Sequence, residues 1–449
     1  MGVHEFMESI PADQSHEAAD QSSVAAISKN ENVDSKIDEI DEKSRMVPAQ
    51  KSSDDEEDEK PKPKPKIQKV PMVFRGRKNF DKYFEPRVVS IGPIHRGKPK
   101  LELWEKYKTE FTAEFVKNSK YSTRFFFNII RENITSLKEL FDEEVLQGYD
   151  DDDDTLSLML VVDGCFILQF VYSINFFQRF NIKIDQLVFA LNDLLLLENQ
   201  IPFHVLELLM ESLDESDERV MTATKLMASI KNFIVKNVMA PSECNTSLEP
   251  NFLQTTEDDK LVESPTHLLE LLQFAVVQPV EQDPKSSKPI KDPKKSHSFR
   301  NVQELKAAGI GLKRGNDRKR WSLRKIKFSY KYGVKPLLEL PRLMVDDSTV
   351  PKFMNLIAYE MCPDNFRTDY EVTSYACFMD SLIDHPNDVE ELRLKKILVN
   401  LLGCDEEVTK VFNEIATDLV PDQEMYKDVK IHIQKQYDRK YMRWVSHLL

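Results

Sequence analysis

Apolar side chains fall at helical spacing from Leu101 onward, where Leu101, Trp104, Tyr107, Phe111 and Phe115 lie three or four residues apart and Glu102 stands four before Lys106. The pattern predicts a helix. A second amphipathic stretch spans Phe125 to Val145. From Leu158 to Phe177 the run is apolar enough to suggest a membrane span, but Asp163, Gln169, Asn175 and the helix-weakening Gly164 interrupt it, so it reads as a buried core helix. Five aspartates, Asp150 to Asp154, precede that run and suit the positive end of a helix dipole. Consecutive aspartates do not by themselves make a coordination sphere, so a divalent-cation site there is the lesser reading.

Between Leu187 and Leu209 the apolar run breaks at Glu198-Asn199-Gln200-Ile201-Pro202, because the residue before proline resists helical geometry and Pro202 suits a first helical turn. Two helices should meet there at a polar corner. A helix carrying Val220, Ala223, Met227, Ile230, Phe233 and Ile234 should end before Pro241, and Ser264-Pro265 should open a short one through His267 to Phe274. Ile326 to Tyr330, a Gly333 turn, and Leu337 to Val345 read as strands of a small antiparallel hairpin, confined to an edge by Pro336 and Pro341. The last third returns to helices, with Val389, Leu392 and Leu398 in one, Val408 to Ile415 in the next and Tyr426 to Leu448 in a final basic one. The expected fold is therefore mainly α: a multi-helix globular body with a small β-hairpin and a disordered N-terminal tail.

Composition sharpens the ends of this picture. The chain has 449 residues, 41% of them apolar, and only 11 glycines, which disfavours glycine-loop nucleotide folds and repetitive β-architectures. Of the net charge of −14, residues 1–60 hold −11, from 17 acidic and 6 basic side chains. Residues 1–66 thus read as a disordered acidic tail closing in an extended Pro-Lys linker, and residues 67–449 as the helical body, interrupted by a basic Pro/Lys-rich insertion at 279–299. Five cysteines without a CxxC pair indicate neither a disulfide framework nor a zinc site. The N-terminus shows no secretory signal, so the sequons at Asn133 and Asn245 are read as accidental.

Several blocks, in order, resemble a plant-specific family: Val89-Ser90-Ile91-Gly92-Pro93-Ile94-His95, then Leu160 to Leu168 around Asp163-Gly164-Cys165, then Leu196-Leu197-Glu198-Asn199-Gln200-Ile201-Pro202-Phe203. His267 to Leu272, Glu304 to Ile310 and Asn355 to Glu360 continue the pattern. The chain is similar over about Val70 to Leu449 to the plant domain of unknown function 247 family, also called uncharacterised protein family 0481. The resemblance implies no catalytic residue and no cofactor, and some grass members are linked to recognition between pollen and stigma. Members usually close with a transmembrane helix that is absent here. The expected location is therefore cytoplasmic, with peripheral contact to an anionic membrane surface through the basic helix from Lys427 to Arg443.

For chemistry, the best enzyme case gathers Asp163, Glu198, His204 and His267, since a buried carboxylate beside a histidine can serve acid–base catalysis. The alternative is structural: Glu198, Asn199, Gln200 and His204 complete a polar corner that satisfies backbone groups, while Asp163 pairs within the core. That reading is preferred. No phosphate-loop, nucleophile-elbow, zinc-protease or dinucleotide motif is present. Cys165 has no adjacent base and reads as a small buried hydrophobe. The interval Lys285 to Lys331 holds 16 basic and 3 acidic residues, making Lys313, Arg314, Arg318, Lys319 and Arg320 candidates for anion binding, while no nucleic-acid motif accompanies them. Trp321 reads as a packing anchor. Ser52 and Ser53, each with an acid three positions on, are candidate phosphosites. No catalytic, cofactor or metal residue is expected. The expected function is a non-enzymatic interaction or recognition protein with a protein partner; an enzyme at the Asp163/Glu198/His204 region and an anionic-surface binder through 285–331 are the alternatives.

Overall fold

The structure, a computed structural model, describes residues 64–149, 152–173, 181–214, 221–241, 264–279, 301–315, 321–331 and 335–448. The tail through residue 63, with Ser52 and Ser53, residues 280–300 of the basic insertion, the Gly333 turn, and Arg318, Lys319 and Arg320 lie outside the described residues.

Short helices α1 (Met72–Arg75) and α2 (Phe80–Phe84) lead through an irregular stretch to a 3-10 turn at Pro99–Leu101 and to α3 (Glu102–Ser119). Helix α3 buries Trp104, Phe111 and Phe115 as its spacing predicts, and Lys120, in left-handed geometry at φ 64°, ends it. The stretch from Phe125 to Val145 is not one helix but three: α4 (Thr123–Glu132), α5 (Ile134–Lys138) and α6 (Glu143–Leu146). The first break falls at Asn133, whose side chain bonds back to the Ile129 carbonyl at 2.9 Å, and the second comes where the backbone is claimed from outside. Ile67 donates to the Leu140 carbonyl at 2.8 Å and accepts from the Asp142 amide at 2.9 Å, so residues 140–142 pair with the N-terminal segment.

Helix α7 (Asp153–Tyr172) is the hub; α8 (Ile184–Asp193) precedes the bend that leads to α9 (Phe203–Glu211), and α3, α4, α9 and α10 (Ala223–Asn237) pack directly on α7. Asp152 caps its first turn by accepting from the Thr155 amide at 3.0 Å, and Asp153 pairs with Arg131 and Lys138. Trp104 and Phe111 meet Phe166 and Phe170 edge-on, which places the aromatic centre of the core between α3 and α7. Gly164 lets α9 approach, since a β-carbon there would lie 2.6 Å from Leu209 Cδ1. Among the described helices only α7 is long and apolar enough to cross a membrane, and 78% of that stretch is buried inside the protein. It is apolar on every side because protein surrounds it.

Helix α11 (Leu268–Val276) starts where His267 Nδ1 accepts from the Glu270 amide at 3.1 Å. After α12 (Val302–Ala307) come strands β1 (Gly311–Arg314), β2 (Lys327–Lys331), β3 (Lys335–Leu340) and β4 (Leu343–Val345). Strands β2 and β3 form the expected antiparallel hairpin, but β1 joins in parallel on the other side, so β3 is central and not an edge. Pro336 tolerates this because pairing with β1 begins only at Leu337, leaving the proline with a neighbour on one side. Pro341 separates β3 from β4, which belongs to a different sheet. Strand β4 runs parallel to β5 (Leu398–Asn400), so Leu398 lies in a strand and not in the helix predicted for it. That helix, α15 (Pro386–Leu394), stops before Lys396, which turns left-handed at φ 56°.

Helix α13 (Thr349–Glu360) packs on α2, α11, α14 (Glu371–Leu382) and α16 (Asp405–Ala416), and α17 (Lys427–Leu448) packs on β2. The N-terminal helices are thereby clamped by the last third of the chain. Asn355 donates to the Tyr83 carbonyl and accepts from the Leu197 amide, both at 2.8 Å, while Asn79 and Tyr83 donate to Glu414 at 2.6 and 2.9 Å.

Candidate functional site

The irregular stretch between α2 and α3 carries backbone N–H groups with no ladder of their own, and side chains from α7 and from the bend after α8 take them up. Asp193 accepts from the amides of Arg87, Val88 and Val89 at 2.8–3.1 Å, Asn199 from Ile91 at 2.8 Å, and Asp163 from Gly92 at 2.8 Å. Asn199 returns two bonds, to the carbonyls of Val89 and Asp193. Gln200 donates to the carbonyls of Leu194 and Leu196 and so ties the bend to itself. Asp193 was not among the candidates from the sequence. As one acid at the end of a predicted helix, it carried no local signal of the loop it binds.

Asp163 also meets Lys108, whose Nζ lies 2.5 Å from Oδ1 and further donates to the Ser90 carbonyl at 2.9 Å and to Glu105 at 3.0 Å. Each ion removed from water loses several kcal/mol of solvation. The pair is retained because Lys108 adds hydrogen bonds to Ser90 and Glu105 to its ion contact, and Asp163 adds the one from Gly92. Burial pushes the Asp163 carboxyl up, against the pull of Lys108 and of the Gly92 amide. Burial also raises Asp193, to about 6, against the three amides it accepts.

Glu198, 3% exposed, takes the Val70 amide at 2.8 Å and an Arg75 guanidinium hydrogen on Oε1, while Oε2 faces His95 Nε2 at 3.4 Å. Burial opposes its ionisation, yet His95, the Val70 amide and Arg75 hold it below the usual carboxylate range. These three groups form one wall of a cleft of about 600 Å³ between residues 68–75 and the irregular stretch.

The two other histidines of the enzyme case are elsewhere. His204 is not part of the polar corner: it is half-exposed on α9 and pairs at 3.1 Å with Glu207, which raises its pKa. Three residues after the bend, helical geometry has already turned it outward. His267 is buried beside Tyr359, with burial lowering it to about 4, and its Nδ1 is occupied by the start of α11. The histidine that does meet Glu198 is His95, the last residue of the first block that carried the family resemblance.

Lys313 pairs with Glu339 across β1 and β3 at 2.9 Å, and Arg314 beside it is exposed. Trp321 is fully buried and donates to the Arg342 carbonyl at 2.5 Å. Burial pushes the Cys165 thiol far up. Among the described residues no group of His, Cys, Asp and Glu side chains is arranged to hold a metal ion. A second cleft, about 730 Å³ between α9 and α10, is walled by Met210 and Met227, with Glu207 at its edge, and contains none of Asp163, Asp193, Glu198 and His95.

The profile of a family described as "Plant protein of unknown function", DUF247, matches residues 67–449. Two Arabidopsis thaliana proteins are similar. The one named UPF0481 protein At3g47200 is 26% identical, over 78% of this chain and 73% of its own length. Putative UPF0481 protein At3g02645 is 27% identical, over 44% of this chain and 36% of its own. No solved structure matches this chain.

Proposed function

The chain belongs to the DUF247 family of plant proteins, and from that premise we propose that it is a non-enzymatic interaction protein whose internal polar groups hold its shape. One observation carries this reading. Every carboxylate at the polar centre is already committed: Asp193 to three amides, Asp163 to Lys108 and Gly92, and Glu198 to Val70, Arg75 and His95. A general acid or base needs a lone pair or proton directed at a substrate. Here the lone pairs are directed at the protein's own backbone, which favours architecture over turnover.

The test separates stability from chemistry. Glu198→Ala strips the acceptor from a buried amide and leaves Arg75 unpaired, so urea unfolding should show a loss of about 1–3 kcal/mol. Affinity capture from plant tissue, with the wild-type chain and variants of its exposed faces, should return a reproducible protein partner that the surface variants lose. An unchanged unfolding midpoint in Glu198→Ala, together with turnover of a tissue metabolite that the variant abolishes, would overturn the reading in favour of an enzyme.

A further inference from the structure

Two polar side chains in the wall of the 600 Å³ cleft are left over from the architecture. Gln68 is 7% exposed and its Nε2 has no hydrogen-bond partner; His95 is 2% exposed and neither ring nitrogen has one, although Nε2 faces Glu198 at 3.4 Å. Burying polar nitrogen without a partner is unfavourable, and the neighbouring Asp193, Asn199 and Gln200 avoid it. Both residues line the cleft, so the mismatch lies just behind its wall.

The identity of each unmatched group follows from its neighbours. Glu198 is held ionised by Arg75 and the Val70 amide, so it can only accept, and the His95 tautomer that suits it carries the hydrogen on Nε2, 3.4 Å away. In that tautomer Nδ1 is an acceptor, so it calls for a donor. Gln68 Nε2 is a donor and calls for an acceptor. Arg75 spends Nε on the Val70 carbonyl at 3.1 Å and one terminal nitrogen on Glu198, and its Nη1 has no acceptor among the described residues.

Charge then narrows the ligand. Among the ions lining the cleft, Lys69 pairs with Glu144, Lys98 with Glu85 and Arg75 with Glu198, while Asp142 is spent on the Glu144 amide at 2.9 Å; the one surplus charge is negative, which disfavours a phosphate, and among the described residues no group is arranged to hold a metal ion. The rest of the wall is apolar, through Pro71, Phe80, Ile94 and Pro363, and continues onto Met72, 80% exposed, and its neighbour Val73, 51% exposed. A group that offers N–H and C=O side by side, next to an apolar side chain, is a peptide unit.

We propose that this cleft binds a short extended peptide segment of a partner protein, with a backbone N–H on His95 Nδ1, a backbone C=O on Gln68 Nε2 and Arg75, and an uncharged apolar side chain against Pro71, Phe80 and Ile94. The volume suits a few residues of chain. The exposed Met72 and Val73 favour a ligand that extends beyond the cleft over a small molecule enclosed by it. The proposal rests on the reading of the protein as an interaction module and assigns that module its recognition site.

The test uses the full-length protein and blocked pentapeptides, acetylated and amidated, with leucine, phenylalanine, aspartate or lysine between flanking alanines. Saturation-transfer NMR and calorimetry should detect the leucine and phenylalanine peptides and not the charged ones. Gln68→Leu should weaken that binding at least about tenfold, the loss of a hydrogen bond in a desolvated site. Because the Gln68 amide nitrogen bonds to nothing in the protein, its melting temperature should hold or rise, which separates lost recognition from lost folding. His95→Phe should weaken binding likewise. Absence of binding by any apolar-centred peptide, or binding that neither substitution changes, overturns the site. Partner capture from tissue that survives Gln68→Leu would retire the cleft and leave the interaction reading standing, whereas absence of any partner would remove that reading itself.

Discussion

At the scale of single residues, backbone geometry decides more here than side-chain chemistry. Gly92 donates to Asp163 from a left-handed conformation, φ 71°, and a β-carbon at this position would collide with the Gln200 carbonyl oxygen. Gly97, a few residues on, is also left-handed at φ 78° but has nothing within 4 Å of where a β-carbon would stand. Gly97→Ala should therefore lose only the conformational part, about 1 kcal/mol. Gly92→Ala adds a collision with buried backbone and should lose about 3 kcal/mol or more. Chemical denaturation of the two variants side by side checks the difference, and equal losses would mean that the Gln200 carbonyl yields. The sequence made Gly92 visible as part of a distinctive block, and Asp163 and Asn199 as polar residues in apolar runs. Their partners were not visible, because nothing in the spacing of Asp163 foretells Lys108 55 positions away or the amide it accepts.

Among elements, those set by periodicity were legible and those set by distant partners were not. Helices α3, α7, α10 and α16 follow their apolar spacing, whereas β1 and β5 have three or four residues each and exist because a neighbouring strand offers its backbone. The break between α5 and α6 has the same origin in Ile67. Charged side chains also fix the irregular stretch, since Glu85 at its start holds Lys98 at 3.0 Å and Lys100 at 2.6 Å at its end. Burial opposes the ionisation of Glu85, but bonds from Lys100 and Lys98 bring its pKa down to about 2 from the ordinary 4.5. A carboxyl whose folded pKa is depressed stabilises the fold above its unfolded pKa and loses that contribution as pH falls from about 4.5 toward 2. Glu85→Gln should flatten the stability profile across that window and leave the slope above pH 5 unchanged. Thermal melts at half-unit pH intervals measure it, and a parallel shift of the whole profile would show that the carboxylate charge is not the cause.

Over the whole molecule, chain order and spatial order are far apart. Helices α1 and α2 sit against α13 and α16, with Arg77 Nη1 reaching Met354 Sδ at 3.5 Å and Asn79 reaching Glu414 at 2.6 Å. Removing residues 64–86 would take the Tyr83 carbonyl from Asn355 and both Asn79 and Tyr83 from Glu414, and uncover the seats of Phe74 and Phe84. A chain beginning at Leu101 should therefore show no cooperative heat-absorption peak in calorimetry, while the parent protein shows one; a retained peak would mean that residues 101–449 fold alone. The same clamp sets a schedule for synthesis. Tyr83 and Asn355 are separated by 272 residues, a distance that a ribosome covers in about 15–50 s. Throughout that interval the α2 surface destined for α13 has nothing to close against, so the nascent chain presents Phe84 and its neighbours to whatever chaperone is at the exit tunnel. For this protein, the last third to be translated is what releases the first.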